Sequence, residues 1–127
     1  MKKTKLNKAH YQLKGKMVDF AGWDLPVQFS GLSQEHMAVR TSGGFFDVSH
    51  MGCFEVSGPH AEAFLDTVIS NYAAFLEPGE SCYGYLLDIE GDCIDDLMLY
   101  RLERERFIMV VNAANEEKDW DWLEKVN

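Results

Sequence analysis

The stretch Gly91-Asp92-Cys93-Ile94-Asp95-Asp96-Leu97-Met98-Leu99-Tyr100 sets two adjacent carboxylates in a strand-like pattern. Neighbouring side chains on a strand point to opposite faces, so Asp95 and Asp96 cannot serve one pocket together. Asp96 shares its face with Ile94, Met98 and Tyr100, whereas Asp95 shares a face with Leu97 and Leu99. A carboxylate beside Met and Tyr is partly desolvated. Desolvation raises its pKa, which suits proton handling or a hydrogen bond to a nitrogen heterocycle. An ordinary surface Asp beside a turn has the same local pattern, so the residues alone leave both readings open.

Other reactive side chains are less informative. Ser49 and His50 are adjacent and diverge on a strand, and no G-x-S-x-G elbow surrounds them, which argues against nucleophilic catalysis. His10, His36, His50 and His60 lack any ligand spacing, so no metal site is expected. Glu35 and His36 fall on a helical stretch whose solvated face accounts for at least one of them. Gly43–Gly44 lacks the spacing of a phosphate-binding loop. Tyr83, Tyr85, Tyr100, Phe54 and the three tryptophans read as core residues, and Cys53, Cys82 and Cys93 as buried thiols. An odd cysteine count without C-x-x-C spacing fits a reduced, cytoplasmic setting better than a disulfide framework.

Elements that position these residues follow from pattern. Met17–Trp23 reads as a short extended element ending at a turn, with Pro26 disfavouring helix just before it. Ser33 is a plausible N-cap for a helix to about Thr41, stopped by Gly43–Gly44. Phe45–Val48 and Cys53–Ser57 look like strands, and Gly58–Pro59 opens a helix with Ala61, Phe64, Leu65 and Val68 on one face. Ser81–Asp88, Ile94–Arg101 and Phe107–Asn112 make a β-meander with turns at Glu90–Asp92 and Glu103–Glu105. A last helix follows, capped by Asn112 or Asn115, with Glu116 and Glu117 at its positive end. The expected class is α+β: an N-terminal arm over residues 1–50 and a plait-like, mostly antiparallel sheet with helices over 51–127. No strand is left to follow the last helix, so both ends of the chain look cut from something larger.

Composition bounds the partners. The 127 residues are 46% hydrophobic and 26% charged, enough for one small soluble domain. Twelve basic against 21 acidic residues give a formal charge of −9, which disfavours nucleic acid and anionic membrane surfaces. The lysine-rich segment Met1–Lys16 is the exception, because it holds no acid. No apolar run is long enough to span a membrane, and no apolar signal core follows the basic N-terminus. Exposed aromatics in the arm (Phe20, Trp23, Phe29, Phe45 and Phe46 among them) and an under-covered sheet edge favour self-association.

Read in order, several words have a consistent spacing. They are Met17-Val18-Asp19-Phe20-Ala21-Gly22-Trp23-Asp24-Leu25-Pro26-Val27, Glu35-His36-Met37-Ala38-Val39-Arg40, Gly44-Phe45-Phe46-Asp47-Val48-Ser49-His50-Met51-Gly52, Ile94-Asp95-Asp96-Leu97 and Val110-Val111-Asn112-Ala113-Ala114-Asn115-Glu116-Glu117-Lys118-Asp119. Together they resemble the N-terminal part of the aminomethyltransferase, or T-protein, of the glycine cleavage system, along essentially the whole chain. The resemblance implies a part of a three-lobed folate-binding fold. It implies transfer of a one-carbon unit from an aminomethyl-lipoyl group, carried by the H-protein, to tetrahydrofolate with release of ammonia.

Matched position by position, the family's key aspartate falls on Asp96, the residue that strand geometry sets on the Met/Tyr face. By the same resemblance Met51, Tyr83, Tyr100 and Asn112 line the pterin pocket. The chain departs from the family in two places. A Gly91–Asp92 turn stands where the family usually has Gly-Gly, and the chain has about a third of a usual member's length. The C-terminal portion of the family enzyme, which is absent here, supplies a glutamate, an arginine and aromatic residues to the folate site. The resemblance therefore leaves two expectations: a catalytic N-terminal part of an aminomethyltransferase, or a folate-pocket fragment or partner-binding remnant inactive alone.

Overall fold

A computed structural model describes residues 1–127, in which Met1–His50 and Met51–Asn127 form two compact units. The first unit contains helix α1 (Asn7–Gln12), strands β1 (Met17–Phe20) and β2 (Trp23–Pro26), and helix α2 (Leu32–Thr41). The single extended element expected at Met17–Trp23 is one arm of a hairpin. Its strands pair antiparallel from Met17↔Pro26 to Phe20↔Trp23, and the tight turn runs through Ala21 and Gly22, both at positive φ. The interior of this unit is polar. Asn7 donates to the Asp24 carboxylate at 3.1 Å and Tyr11 donates to the same oxygen at 3.0 Å.

Residues 1–50 are thus more than an arm with few contacts of its own, and the reason is hydrogen bonding that periodicity does not reveal. Phe45–Val48 forms no strand. Instead the Asp47 carboxylate accepts from Thr4 at 2.6 Å, contacts His10 Nε2 at 2.7 Å and accepts from the Ser49 hydroxyl at 2.6 Å. A loop held by its carboxylate needs no ladder, and Phe45 and Phe46 are left exposed. Ser33 is not the cap of α2. Gly31 holds that place, and Glu35 turns back to accept the N–H groups of Phe29, Ser30 and Gly31 at 2.7–2.8 Å. Those backbone donors, Gly31 first, hold the Glu35 carboxyl below its ordinary pKa.

In the second unit, strand β3 (Gly52–Ser57), helix α3 (Ala61–Val68), a short 3-10 turn at Ala73–Phe75, strands β4 (Ser81–Leu87), β5 (Cys93–Glu103) and β6 (Arg106–Val111), and helix α4 (Glu116–Val126) follow in order. The sheet order is β3-β6-β5-β4, and every neighbouring pair is antiparallel. The α+β class and the meander agree with the sequence reading. Alternation decides the two faces. Phe54, Leu86, Leu97, Leu99, Phe107, Met109 and Val111 turn inward and pack with Leu65 and Val68 of α3 and Leu123 of α4. Gly52 allows close packing at this end of the sheet, since a Cβ there would come within 2.7 Å of Val111 and 2.9 Å of Glu116.

Both helices therefore cover one face and leave the other free of them. Three expectations change here. Tyr83, Tyr85 and Tyr100 are on the free face and exposed, because their strand parity opposes that of Leu86, Leu97 and Leu99. Among the thiols only Cys82 packs against the core, where burial pushes its pKa up, and Cys53 and Cys93 are exposed. Ile94 does not share the face of Asp96. Register jumps from Leu86↔Asp95 to Leu87↔Cys93, so Ile94 is the extra residue of a bulge and packs against the core. No helix is long and apolar enough to cross a membrane.

Candidate functional site

Asp96 is half-buried in β5, directly opposite Tyr85 of β4 and flanked on its own face by Met98. Two groups hold its carboxylate. The Tyr83 hydroxyl donates to Oδ2 at 3.1 Å, and the Asn112 side-chain amide donates to Oδ1 at 2.9 Å. One comes from β4 and the other from the residue just after β6, so three segments of the sheet converge on one carboxylate. Tyr83 and Tyr85 meet edge to face with ring centroids 5.6 Å apart. Desolvation and the hydrogen bond to Asp96 push the Tyr83 hydroxyl up to about 12, so it stays a donor throughout the neutral range.

Of the residues singled out by sequence, the structure joins Asp96, Tyr83 and Asn112 by direct hydrogen bonds. Met51 lies one position before Gly52, whose partner Val111 precedes Asn112, so the antiparallel register carries Met51 to the same end of the sheet. Tyr100 shares the face of Asp96 but is four residues along β5, opposite Ile108 and Ser81. At about 3.4 Å per residue that is a separation of roughly 14 Å, the span of an elongated ligand. Tyr85 was missed by sequence reasoning. The signal for it was present, since a residue two places from Tyr83 must share its face.

Asp95 faces the other way, into the core, at 6% exposure. Its Oδ1 accepts the Asn112 amide at 3.0 Å and the Asn115 amide at 2.7 Å, and its Oδ2 accepts the Asn112 backbone N–H at 3.2 Å. Burial alone would raise its pKa, but these donors outweigh burial and hold the carboxyl below its ordinary value. Asn115 sits at the N-cap position of α4 as expected, yet its side chain serves Asp95 and not the helix. The single Asn112 amide thus bridges the inward carboxylate and the outward one. Lys118 of α4 adds a clamp on the same segment, donating to the Ile94 carbonyl at 2.7 Å.

Such a face can bind one side of a flat heterocycle. Tyr83, Tyr85, Met98 and Val110 offer apolar and aromatic surface, and the anchored Asp96 offers one fixed acceptor for ring N–H groups. A carboxylate held from two sides cannot swing to solvent, which keeps its acceptor direction set before a ligand arrives. The fold and this site define an open aromatic sheet face with one anchored carboxylate.

Residues 6–127 match the family described as GCVT N-terminal domain, and the chain belongs to that family. It is similar to the aminomethyltransferase of Chloroherpeton thalassium, 49% identical over 125 residues, with 98% of this chain and 34% of the relative covered. The aminomethyltransferase of Thermotoga maritima is 47% identical over 123 residues, covering 97% of this chain and 34% of the relative. The crystal structure of the glycine cleavage system aminomethyltransferase T from Bartonella henselae superposes with a TM-score of 0.90 at 40% identity, over 98% of this chain and 35% of that one. The chain spans about a third of the length of the curated relatives it matches.

Proposed function

We propose that this chain supplies the Asp96 wall of the tetrahydrofolate site of a glycine-cleavage aminomethyltransferase. In that role Asp96 is the catalytic carboxylate. It accepts from folate N–H groups and positions the ring nitrogens where the one-carbon unit arrives from the aminomethyl-lipoyl group of the H-protein, and ammonia leaves. Met51, Tyr83, Tyr100 and Asn112 line the pterin side, with Asn112 fixing Asp96. The observation that carries this reading is the doubly held Asp96 on an open aromatic sheet face, in a chain of this family. Nucleic acid and membrane are not partners in this proposal, and the setting is cytoplasmic.

Residues 1–127 then make up about a third of such an enzyme, and the rest of the folate site belongs to its other two thirds. A one-sided pocket does not hold folate in the geometry that proximity catalysis requires. The test supplies tetrahydrofolate and aminomethyl-loaded H-protein to the purified chain, alone and joined to the C-terminal portion of a close relative. No appreciable turnover by the chain alone and methylenetetrahydrofolate formation by the joined protein are expected. Turnover by the chain alone overturns the one-sided pocket, and an inert joined protein that folds overturns the catalytic reading in favour of a remnant.

Self-association of the isolated chain belongs to the same proposal. Phe45, Phe46 and Phe75 are exposed, and the aromatic sheet face is open. Apolar burial contributes about 25 cal/mol per Å², whereas the repulsion from a charge of −9 is screened beyond roughly 8 Å at physiological salt. Sedimentation at micromolar concentration is expected to show dimers or larger species, favoured by salt. A monomer at both low and high salt would count against it.

A further inference from the structure

Beneath the site is a second acid that the proposed reaction does not use. Asp119, on the inward side of α4, has 0% exposure, and neither of its carboxyl oxygens receives a hydrogen bond from any donor group. Geometry ties Asp119 to Asp95 through Asn115, whose carbonyl accepts the Asp119 backbone N–H at 2.8 Å and whose side-chain amide donates to Asp95 at 2.7 Å, and Asp95 is the acid that acts on the Asp119 carboxyl. Two carboxylates cannot hydrogen-bond one another unless one of them carries a proton. Asp95 is already supplied by the Asn112 amide, the Asn115 amide and the Asn112 backbone N–H, so the proton belongs to Asp119. Asn112 links Asp95 to Asp96, and a proton on Asp119 directed at Asp95 would extend that link from the helix to the open face.

We propose that Asp119 is a positioning residue for this site: as a neutral acid it donates to Asp95, which leaves Asn112 free to divide its amide between Asp95 and Asp96. The proposal rests on the reading of Asp96 as the working carboxylate, but the hydrogen-bond relay itself does not. When Asp119 loses its proton, two anions face one another in the interior, and both compete for the Asn112 and Asn115 amides. Asp96 then loses one of the two donors that hold it. The charged groups acting on Asp119 are Asp95 from β5 and Lys118 from α4; Asp95 favours the neutral form and Lys118 the ionised one. Burial acts with Asp95 and carries the Asp119 carboxyl up to about 7, so the change falls in the neutral range.

The relay is tested in the 127-residue chain by NMR with ¹⁵N-labelled asparagine and ¹³C-labelled aspartate, titrated from pH 5.5 to 8.5. The Asn112 side-chain amide resonances are expected to move in one step with a midpoint near 7, together with the Asp119 carboxyl carbon. In Asp119→Asn the carboxamide is a permanent donor to Asp95, so the Asn112 step is expected to vanish while its low-pH resonance positions persist. An Asn112 signal that does not titrate in the wild-type chain, or that titrates equally in Asp119→Asn, overturns the relay. The wild-type titration needs no variant to fold. A second arm follows kcat against pH in the joined, active protein: Asp119→Asn should flatten an alkaline decline that the wild type shows. Failure of the joined protein to turn over speaks against the folate reading and leaves the NMR outcome standing.

Discussion

Asp96→Asn in the joined, active protein is expected to lower kcat by about a hundredfold or more while leaving the fold as stable as before. A positioned carboxylate that handles a proton or polarises a reacting nitrogen typically contributes about 10²–10⁴ in rate. Asparagine keeps the size of the side chain but offers only one acceptor oxygen. Its NH₂ must then face either the Tyr83 hydroxyl or the Asn112 amide, both of which donate to Asp96 in this structure. Asp96 is half-buried on the open face, so losing its charge leaves the core untouched, and stability should change by less than about 1 kcal/mol.

Asp95→Asn should show the reverse balance. Three hydrogen bonds converge on that buried carboxylate, and hydrogen bonds to a charged group contribute about 1.5–3 kcal/mol each when intact. Removing the charge should lower stability by about 2–3 kcal/mol, with activity falling only as far as Asn112 is displaced. Urea unfolding and steady-state kinetics on both variants separate the two. Equal losses of kcat at equal stability would sink the assignment of opposite faces.

The second large effect is a gain. Asp119→Asn is expected to stabilise the chain at pH 8 by about 2 kcal/mol, seen as a Tm higher by several degrees. The Asp119 pKa rises from 3.8 to about 7 on folding, because burial and the neighbouring Asp95 both disfavour its charge. Between those values the folded chain holds a proton that the unfolded chain has released, so stability falls as pH rises. Below 3.8 there is no penalty, and above about 7 the penalty is complete. At roughly 1.4 kcal/mol per unit the upper bound is about 4 kcal/mol, and the opposite shift of Asp95 offsets part of it. Melting curves of both proteins at pH 4.5 and pH 8 check the sign. The difference should be small at the lower pH and grow towards the higher; a constant difference, or a loss at pH 8, would show that Asp119 is not held neutral.

Much of the second unit was legible because its residues alternate strictly. The parity of Asp95 and Asp96 against Leu97 and Leu99 was enough to set the two carboxylates on opposite faces, and the three meander strands needed only their turn residues to be bounded. Tyr83 came to the site only through the family resemblance, and the pairing of β4 with β5 in the structure set it beside Asp96. Parity put Tyr100 on the Asp96 face, but Tyr83, Tyr85 and Tyr100 still read as core, because aromatic residues are buried by default and the sequence does not say which sheet face the helices will cover. Ile94 was misplaced for a different reason. A bulge adds one residue and reverses parity locally, and nothing in Cys93-Ile94-Asp95 marks where it falls.

The first unit was less legible, since it is built on carboxylates and not on apolar periodicity. Asp24 and Asp47 gather donors from Asn7, Tyr11, Thr4 and His10, residues 13 to 43 positions away in the chain. Polar pairs at such separations leave no period to read. The short α1 and the strandless Phe45–Val48 loop both follow from them.

By itself, the sequence determined the α+β class, the meander, the family words and the opposite facing of Asp95 and Asp96, because each of these is local: a period, a turn or a spacing. Only the tertiary structure decided which sheet face stays open, that Asn112 joins the two carboxylates, and that Asp119 completes them from below. Those outcomes depend on register between strands far apart in sequence and on what burial does to a charge. Neither is a property of any short stretch of residues.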